Sequence, residues 1–431
     1  MRTYRKLLIP ALVVGALFVP STVAEAKVDV SVEGGQTSHY DTLSVAVAEL
    51  GATKATITFI ENETGDNAKD VTIPAGADYT IDGAGKAFGG TIKAEATGGQ
   101  AIHLSINDLV MDGGGSKGMA IISQNQDTKP NDLYLTVTNS SISDYTSKGM
   151  YLTNAKELTI NNVTFTNNAT VEQDKVKGDY TVDLNLIGVQ DAKVSISNST
   201  FVGEVGGNAP IKVTQRGYAD DIMTDIPYYY NTEGTGDDKK ATTPTGNPAA
   251  SIASLTIENC DFSAVADGSK GDVALGSSPN DKGAGEKAGT ARLGSSNFPV
   301  EVKAGDTPID IYVRGSADQE AAGTNAKFAV EAGKTGVMIP AGGETFTAGK
   351  KEFALEVGKT HKLAVYLQTA TGKVELADVL NPEKLTFASD NDKVATVSED
   401  GTVVAVAEGT AKITATYGDQ TVTWNVTVKN D

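Results

Sequence analysis

An eight-residue phrase that recurs along the chain limits what the chain can fold into. Its five copies read LSINDLVM (104–111), LTVTNSSI (135–142), LTINNVTF (158–165), VSISNSTF (194–201) and LTIENCDF (255–262). In every copy, positions 1 and 3 are apolar and position 8 is Phe, Ile or Met. Because apolar residues with a period of two are typical of a strand with one buried face, each copy predicts strand structure.

Within each phrase the apolar residues change from odd to even positions, which a straight strand cannot accommodate. We therefore predict a bend near positions 4 and 5. Position 5 is Asn or Asp in every copy, and these are the non-glycine residues that best tolerate a left-handed backbone. Their side chains can also bond locally or stack on one another. The predicted structural ladder comprises Asp108, Asn139, Asn162, Asn198 and Asn259.

The phrases begin 31, 23, 36 and 61 residues apart. The shortest spacing matches one coil of a parallel β-helix, roughly 20 to 25 residues, and the longer ones match a coil with added loops. The Asx row resembles the Asn ladder of right-handed parallel β-helices of the pectate-lyase-like class. The segment TIPAG…YTIDGAG resembles the opening coils of secreted bacterial β-helix proteins. The structural alternative, a lipocalin-like antiparallel barrel, would not repeat the bend residue in register.

The N-terminus has the features of a secretion signal. Arg2, Arg5 and Lys6 precede an apolar run at 7–20, and Ala24-Glu25-Ala26 is a small-x-small cleavage site. Its loss, with three basic residues and one acidic residue, would change the formal charge from −19 to −21. Such a charge disfavours nucleic acid and anionic membranes as partners. The alternative is a retained membrane anchor, whereas cleavage predicts a secreted or cell-surface protein with no membrane insertion.

The predicted fold is all-β, in several segments. The signal at 1–26 is followed by a parallel β-helix over 27–297, which an amphipathic helix ending near Leu50 caps at its N-terminal end. This domain includes an insertion at 216–250 and a linker rich in Gly, Ser, Asp and Lys at 264–297. Short β stretches over 298–345 suit either terminal coils or a small bridging module.

Residues 346–431 predict an immunoglobulin-like β-sandwich, because short strands alternate with turn signals. The phrases VGKTHKL and ASDNDKVATVSEDGTVVAVAEGTAKITA resemble a bacterial immunoglobulin-like domain of group 2 in order and spacing. Phe387 stands where that family commonly has Trp. Because such modules act as spacers or adhesive units, the resemblance implies a surface context.

The insertion holds the candidate binding and metal residues. A recognition surface is predicted for its tyrosines, Tyr218, Tyr228, Tyr229 and Tyr230. Its carboxylates suit Ca²⁺, which is the only cofactor that the sequence suggests, at Asp220, Asp221 and Asp225. The single cysteine, Cys260, excludes an intramolecular disulfide and is predicted to be buried.

Catalytic motifs of the β-helix enzymes are missing from the sequence. The lyase resemblance implies an Arg-x-Pro-x-x-Arg run, but after the signal Arg occurs only at 216, 292 and 314. The related hydrolases place a catalytic His before Gly, whereas His39, His103 and His361 precede other residues. We therefore assign no catalytic residue.

The sequence predicts an exported, non-catalytic protein of the cell surface. Its function would be binding, adhesion or an envelope scaffold, with a glycan or a surface protein as partner. The first alternative is a polysaccharide lyase or glycoside hydrolase that uses the β-helix groove. The second is an envelope-layer subunit that associates with itself.

Overall fold

The computed structural model describes most of the chain from residue 26 onward. The described residues are 26–94, 100–123, 132–169, 180–187, 189–203, 209–216, 232–233, 240–241, 251–265, 271–277, 298–313, 326–339, 345–369, 372–380 and 385–430. Within them, no helix has the length and apolar character that crossing a membrane requires. The signal predicted at 1–26 lies almost wholly outside these residues.

The N-terminal half of the chain consists of short strands. The first elements are β1 (Val28–Val32), β2 (Ser38–Tyr40), α1 (Leu43–Leu50), β3 (Lys54–Phe59), a 3₁₀ turn (Gly65–Asn67), β4 (Val71–Thr72), β5 (Asp78–Asp82), β6 (Ala87–Phe88), β7 (Ile92–Lys93), β8 (Ile102–Asn107), β9 (Val110–Asp112) and β10 (Met119–Ser123). The next are β11 (Leu133–Thr138), β12 (Ser141–Ser143), β13 (Lys148–Leu152), β14 (Ala155–Asn161), β15 (Thr164–Thr166), β16 (Val182–Ile187), β17 (Ala192–Ser197), β18 (Thr200–Gly203) and β19 (Ile211–Arg216).

Short strands continue to the C-terminus. They are β20 (Thr232–Glu233), β21 (Lys240–Ala241), β22 (Ile252–Glu258), β23 (Asp261–Val265), β24 (Val273–Ser277), β25 (Val300–Lys303), β26 (Ile309–Val313), β27 (Ala326–Val330) and β28 (Thr335–Met338). The last group is β29 (Thr345–Ala348), β30 (Glu352–Glu356), β31 (Thr360–Lys362), β32 (Val365–Thr369), β33 (Gly372–Glu375), a 3₁₀ turn (Leu376–Asp378), β34 (Leu385–Ser389), β35 (Ala395–Val397), β36 (Thr402–Ala405), β37 (Gly409–Tyr417) and β38 (Gln420–Lys429).

Strands β3 to β26, apart from the separate antiparallel pair β20 and β21, stack as successive coils of a parallel β-helix, which confirms the predicted fold class. Each complete coil contributes one strand to each of three sheets. Sheet 1 runs β2-β1-β3-β5-β8-β11-β14-β17-β22-β25-β28, sheet 2 runs β23-β18-β15-β12-β9-β6, and sheet 3 runs β27-β26-β24-β19-β16-β13-β10-β7-β4. Neighbouring coils pair in parallel, as β11 does with β8 and β14. One coil therefore supplies the hydrogen-bonding edge for the next.

The repeated phrase spans the corner between sheets 1 and 2. Its first half ends a strand of sheet 1, and its last residues form a strand of sheet 2. All five position-5 residues have a positive φ, between 50° and 55°. At position 6, Ser199 Oγ accepts a hydrogen bond from Val163 N (3.2 Å) and donates one to Ser197 O (2.7 Å). The corner therefore satisfies its buried backbone groups from one coil to the next.

The interior of the coils is an apolar core. The aromatic rings at position 8 stack along it, with ring centroids 4.9 Å apart between Phe165 and Phe201 and again between Phe201 and Phe262. Cys260, at position 6, is 1% exposed, and burial raises the pKa of its thiol to about 11. A thiol protonated at neutral pH packs as a small apolar group.

Helix α1 packs against the N-terminal end of the core. It buries Leu43, Ala46 and Val47, and its N-cap residue Thr42 accepts a hydrogen bond from Val45 N through Oγ1 (3.2 Å). Glu63, in the first coil, accepts one from Leu43 N through Oε2 (2.7 Å). This carboxyl is buried, and burial raises its pKa. A coil residue thus contributes to the N-terminus of the helix.

Strands β25 to β28, which lie within the segment that the sequence leaves open, extend and close the stack. Strand β25 pairs in parallel with β22, and β26 pairs in parallel with β24. Strands β27 and β28 then pair antiparallel with β26 and β25. The direction of pairing therefore reverses at the C-terminal end.

A separate core begins at Ile339. Strands β29 to β38 form sheets around the buried Trp424, Ile413 and Leu367. Leu380 N donates to Val337 O (2.8 Å), and this bond joins the sandwich to the end of the β-helix. The chain therefore consists of a stacked coil and a smaller sandwich, in that order.

Candidate functional site

A row of hydroxyl groups crosses the outer face of sheet 1. In every copy of the phrase, position 2 is Ser or Thr, and two earlier strands carry Thr at the matching place. Each member is paired in register with the next on the neighbouring strand. This hydroxyl row consists of Thr56, Thr80, Ser105, Thr136, Thr159, Ser195 and Thr256.

The alternation of the strands turns this row outward. The residue that follows each hydroxyl is Ile or Val with at most 1% of its surface exposed, as at Ile57, Val137 and Ile257. Because successive side chains of a strand point to opposite faces, burial of these residues places their neighbours on the outer face. Thr56 and Thr80 are exposed, and the other members are half-exposed.

The hydroxyls of the row make no side-chain hydrogen bond to any residue that the structure describes. Each hydroxyl retains one donor and two acceptor sites. Threonine and the parallel strands also restrict where each group points, since β-branched side chains are stiff at χ1. The row therefore presents fixed polar groups at the strand spacing of about 4.8 Å.

Two residues before the row, charges on the same face pair with each other along the axis. Lys54 Nζ lies 3.0 Å from Asp78 Oδ2, and Lys193 Nζ lies 3.7 Å from Glu157 Oε1. The hydrogen bond and the charge of Asp78 raise the pKa of Lys54. This flank is therefore electrically compensated.

A stacked aromatic pair separates these two ion pairs. The rings of His103 and Tyr134 stack with centroids 4.4 Å apart and planes 9° from parallel. Burial, followed by the charges of Asp132 and Glu157, raises the pKa of Tyr134. The phenol thus stays neutral at physiological pH.

Two residues after the row, the polar side chains bond to one another and to the ladder. Asn107 Oδ1 accepts from Thr138 Oγ1 and from Asn139 Nδ2, both at 2.9 Å. Asn161 Oδ1 accepts likewise from Ser197 Oγ (3.0 Å) and Asn198 Nδ2 (2.7 Å). Position 4 thus takes part in the ladder, a role that the sequence reading assigned to position 5 alone. Side chains at position 4 bond to other side chains of the face, whereas the hydroxyls of the row make no such bond to the residues that the structure describes.

The predicted ladder residues also bond directly in places. Asn162 Nδ2 donates to Asn139 Oδ1 (2.9 Å), and Asn259 Nδ2 lies 3.4 Å from Asn198 Oδ1. At the far end of the same flank, Lys303 Nζ lies 3.6 Å from Glu258 and 3.5 Å from Glu301, whose charges raise its pKa. Along this flank of the hydroxyl row, the polar side chains therefore bond to one another.

A cluster of charges is buried on the outer face of sheet 3. Lys148 Nζ lies 2.9 Å from Asp183 Oδ2, and Lys212 Nζ lies 3.5 Å from Oδ1, with the three side chains 8%, 4% and 13% exposed. Burial alone would raise the pKa of Asp183, but the charges of Lys212 and Lys148 outweigh it and lower the pKa. The ammonium groups also lie over the rings of Tyr151 (5.3 Å) and Tyr180 (4.9 Å). The carboxylate is therefore ionised and held between cations.

A polar groove of about 620 Å³ lies at the corner between sheets 2 and 3 in the first coils. Its central carboxylate, Asp70, lies 3.1 Å from Lys93 Nζ and 3.2 Å from Lys117 Nζ. Burial would raise the pKa of Asp70, and the two lysines lower it by a larger amount. Gly113 is needed here because a Cβ would lie 2.7 Å from Asp144 O. The two lysines therefore balance the negative charge of Asp70 within the groove.

An apolar groove of about 560 Å³ lies in the C-terminal sandwich. Leu363, Val365, Tyr366, Leu385 and Phe387 contribute to its lining. Strand β34, at one side, is an edge strand of its sheet.

The binding and metal residues predicted in the insertion, Tyr218, Tyr228, Tyr229, Tyr230, Asp220, Asp221 and Asp225, lie outside the described residues. Of the insertion, the structure describes the short antiparallel pair β20 and β21, together with Arg216 at the end of β19. Among the residues described elsewhere, no group of three or more His, Cys, Asp or Glu side chains is arranged to hold a metal ion. The tyrosine surface and the Ca²⁺ site stay predictions.

The hydroxyl row was missed by the sequence reading, although a signal for it exists. Position 2 is Ser or Thr in all five phrases, and the earlier segments TIT (56–58) and TID (80–82) continue the pattern. The apolar positions, which determine the core, are the more conspicuous pattern in each phrase.

Comparison with known proteins gives one family match. No curated protein matches the chain. Residues 344–428 match the family Bacterial Ig-like domain (group 2), close to the predicted domain at 346–431. Domains of this family occur in bacterial surface and extracellular proteins. The C-terminal domain of this chain is therefore a bacterial Ig-like domain of group 2.

Proposed function

We propose that this chain is an exported, non-catalytic protein of the bacterial surface that binds carbohydrate through the hydroxyl row. The β-helix, of the pectate-lyase-like class, is the rigid frame, and the Ig-like domain is the spacer or a second adhesive unit. The single observation that carries the proposal is the unbroken row of hydroxyls in register, none of them engaged within the described residues.

Hydroxyl groups suit carbohydrate because both partners donate and accept. The row is fixed in β-strands and built largely from threonine, so little side-chain freedom is lost when a ligand binds. A loop with the same groups would lose more. The frame thus contributes to affinity by holding the groups in place before the ligand arrives.

The Ig-like domain supports a location outside the cell, since its family occurs in surface and extracellular proteins. The basic and apolar N-terminus and the small-x-small site at 24–26 support export. The net charge of −19 argues against polyanions as the main ligand.

The test is retention of the mature protein on a panel of neutral and acidic polysaccharides, with and without Ca²⁺. A variant with Thr80→Val, Thr136→Val, Thr159→Val and Thr256→Val removes four hydroxyls and keeps the branched shape. If each hydrogen bond contributes about 0.5 kcal/mol or more, we expect affinity to fall by roughly 30-fold or more. Equal retention of this variant and the wild type would contradict the proposal, as would no retention of any carbohydrate by the wild type.

The matched control carries Thr164→Val and Thr200→Val. These residues lie on strands β15 and β18 of sheet 2, away from the hydroxyl row. We expect this control to bind like the wild type. Far-UV circular dichroism of all variants verifies that they fold.

A polysaccharide lyase or glycoside hydrolase is the second candidate. The observation that favours it is the buried cluster of Lys148, Asp183 and Lys212 among tyrosines, because basic and phenolic side chains can move protons in such reactions. New reducing ends or unsaturated products in the retention samples would show that the protein is an enzyme and not only a binding protein. Loss of those products in Lys148→Ala and Lys212→Ala would assign the reaction to this cluster.

Two other predictions are tested with the same samples. Substitution of Tyr228, Tyr229 and Tyr230 by Ala measures what the tyrosines of the insertion contribute, and any change of retention with Ca²⁺ directs attention to Asp220, Asp221 and Asp225. Light scattering at increasing protein concentration tests the envelope-layer alternative. Growth of large particles without carbohydrate would favour self-association.

A further inference from the structure

We infer that the ligand of the hydroxyl row is a long, extended and uncharged polysaccharide that lies along the axis of the β-helix, across the strands. This inference rests on the proposed function and adds the class, length and direction of the ligand. It follows from the direction in which the row repeats, from the charges beside it and from the equivalence of its members.

The row repeats only along the axis. Within one strand the free hydroxyl has, on one side, residues paired as ions or stacked rings and, on the other, polar residues largely bonded to the ladder. The next equivalent hydroxyl is on the neighbouring coil, about 4.8 Å away. A ligand that contacts several members must therefore cross the strands, and a chain in an extended conformation can do so.

The face favours a neutral ligand. Lys54 is paired with Asp78, and Lys193 with Glu157, so these four residues contribute no net charge beside the row. The row ends in register at Glu301, where Lys303 Nζ lies 3.5 Å from Glu301 and 3.6 Å from Glu258, so that carboxylates outnumber ammonium groups at this end. A polyanion would gain no attraction from this face and would be repelled by a chain of net charge −19.

The members of the row are alike, so affinity must accumulate along it. Seven hydroxyls are paired in register and therefore occupy equivalent positions on successive coils. One hydrogen bond raises affinity by roughly two- to tenfold, which does not hold a small sugar by itself. In a ligand long enough to contact many coils, the free energies of these bonds add and the factors in affinity multiply.

The experiment uses the mature full-length chain and a series of β-linked glucose oligomers from the disaccharide to the octasaccharide, with insoluble β-glucan, mannan and xylan as polymers. Calorimetry measures the dissociation constants, and co-sedimentation measures binding to the polymers. We expect affinity to rise with each added sugar. Helical α-glucan is neutral but not extended, and polygalacturonate is extended but acidic. Both should bind at least tenfold more weakly than the best extended neutral polymer.

A scan of single variants tests the equivalence of the members. Thr80→Val, Thr136→Val, Thr159→Val and Thr256→Val should each lower the affinity for the polymer by a similar factor, roughly two- to tenfold. Thr164→Val on sheet 2 is the control, with no expected change. If one variant alone abolishes binding, the site is a discrete pocket and the inference fails.

The outcomes separate this inference from the proposed function. Short oligomers that bind as tightly as polymers, or polygalacturonate that binds best, would overturn the inference and leave carbohydrate binding in place. If no extended neutral polymer and no other carbohydrate is retained, both fail together.

Discussion

At the scale of the residue, Asn162 illustrates how the corner of each coil is formed. Its φ of 55° is a conformation that most residues with a Cβ adopt only at a cost, and its Nδ2 donates to Asn139 Oδ1 at 2.9 Å. Both properties depend on the Asn side chain. The sequence indicates the first through the repetition of Asx at position 5.

We expect Asn162→Ala to lower the free energy of unfolding of the β-helix by about 1 to 3 kcal/mol, from left-handed strain and one lost hydrogen bond. Asn162→Gly removes the bond but tolerates the positive φ, so it should cost less. Urea denaturation followed by far-UV circular dichroism measures both. If Gly proved as harmful as Ala, backbone strain would not explain the choice of Asn.

The ladder was only partly predictable from single residues. Position 5 reveals itself because it is always Asx, whereas position 4 varies among Asn107, Thr138, Asn161, Ser197 and Glu258. Asn107 and Asn161 accept ladder bonds from the coil that stacks on them. The stacking of two coils decides which amide bonds to which neighbour. The sequence of a single phrase does not contain this information.

At the scale of the element, the last coils are joined through a half-buried carboxyl. Asp272 precedes β24, and its Oδ2 accepts a hydrogen bond from Asp310 N in β26 (2.7 Å). Burial, and then the charge of Asp310, raises the pKa of Asp272 to about 6, although the hydrogen bond from Asp310 N acts in the opposite direction. The contact between the last coils is therefore sensitive to pH.

The direction of this pH effect follows from the protonation of Asp272 in the folded and the unfolded protein. Between the ordinary pKa of about 4 and the folded pKa of about 6, the folded protein binds the proton and the unfolded chain does not. Stability should therefore fall as the pH rises through this range, and the penalty of a half-buried carboxylate should persist above it. Asp272→Asn keeps an acceptor for Asp310 N and removes the charge.

We expect Asp272→Asn to be more stable than the wild type at about pH 7, with a smaller difference at about pH 5. Thermal unfolding of both proteins at the two pH values measures the change. Asp261→Asn is a comparison on β23, since hydrogen bonds from Ser263 lower the pKa of Asp261 instead. An Asp272→Asn difference that does not depend on pH would contradict the prediction.

At the scale of the whole molecule, two cores are joined by a narrow contact. The β-helix core ends at Met338, and the sandwich core begins at Ile339. Gly336 allows this contact, because a Cβ there would lie 2.8 Å from Leu380 Cδ2. The two cores should therefore unfold as separate units.

The chain has a single tryptophan, Trp424, which is 1% exposed in the sandwich. Its fluorescence therefore reports only on the Ig-like domain, whereas far-UV circular dichroism reports on both domains. We expect the fluorescence transition in urea to come first, because the smaller domain buries less of its surface. Coincident transitions by the two probes would show that the domains unfold as one unit.

The sequence by itself determined the strands, the corner, the inward residues of each coil and the Ig-like domain, because short-range patterns fix these features. The period of two and the Asx residue act within eight residues, wherever the phrase occurs. The same pattern placed Phe165 and Cys260 inside, where the structure has them.

Only the tertiary structure decided which residues meet across coils. The phrases are separated by 31, 23, 36 and 61 residues, so no constant interval reveals that Thr136, Thr159 and Ser195 form one row. Lys148, Asp183 and Lys212 likewise meet only where three strands of sheet 3 lie side by side. Hydrogen bonds and apolar rows set the register in which one coil stacks on the next, and this register determines such contacts. Because loops of any length can connect the coils, the interval in sequence does not reveal the register.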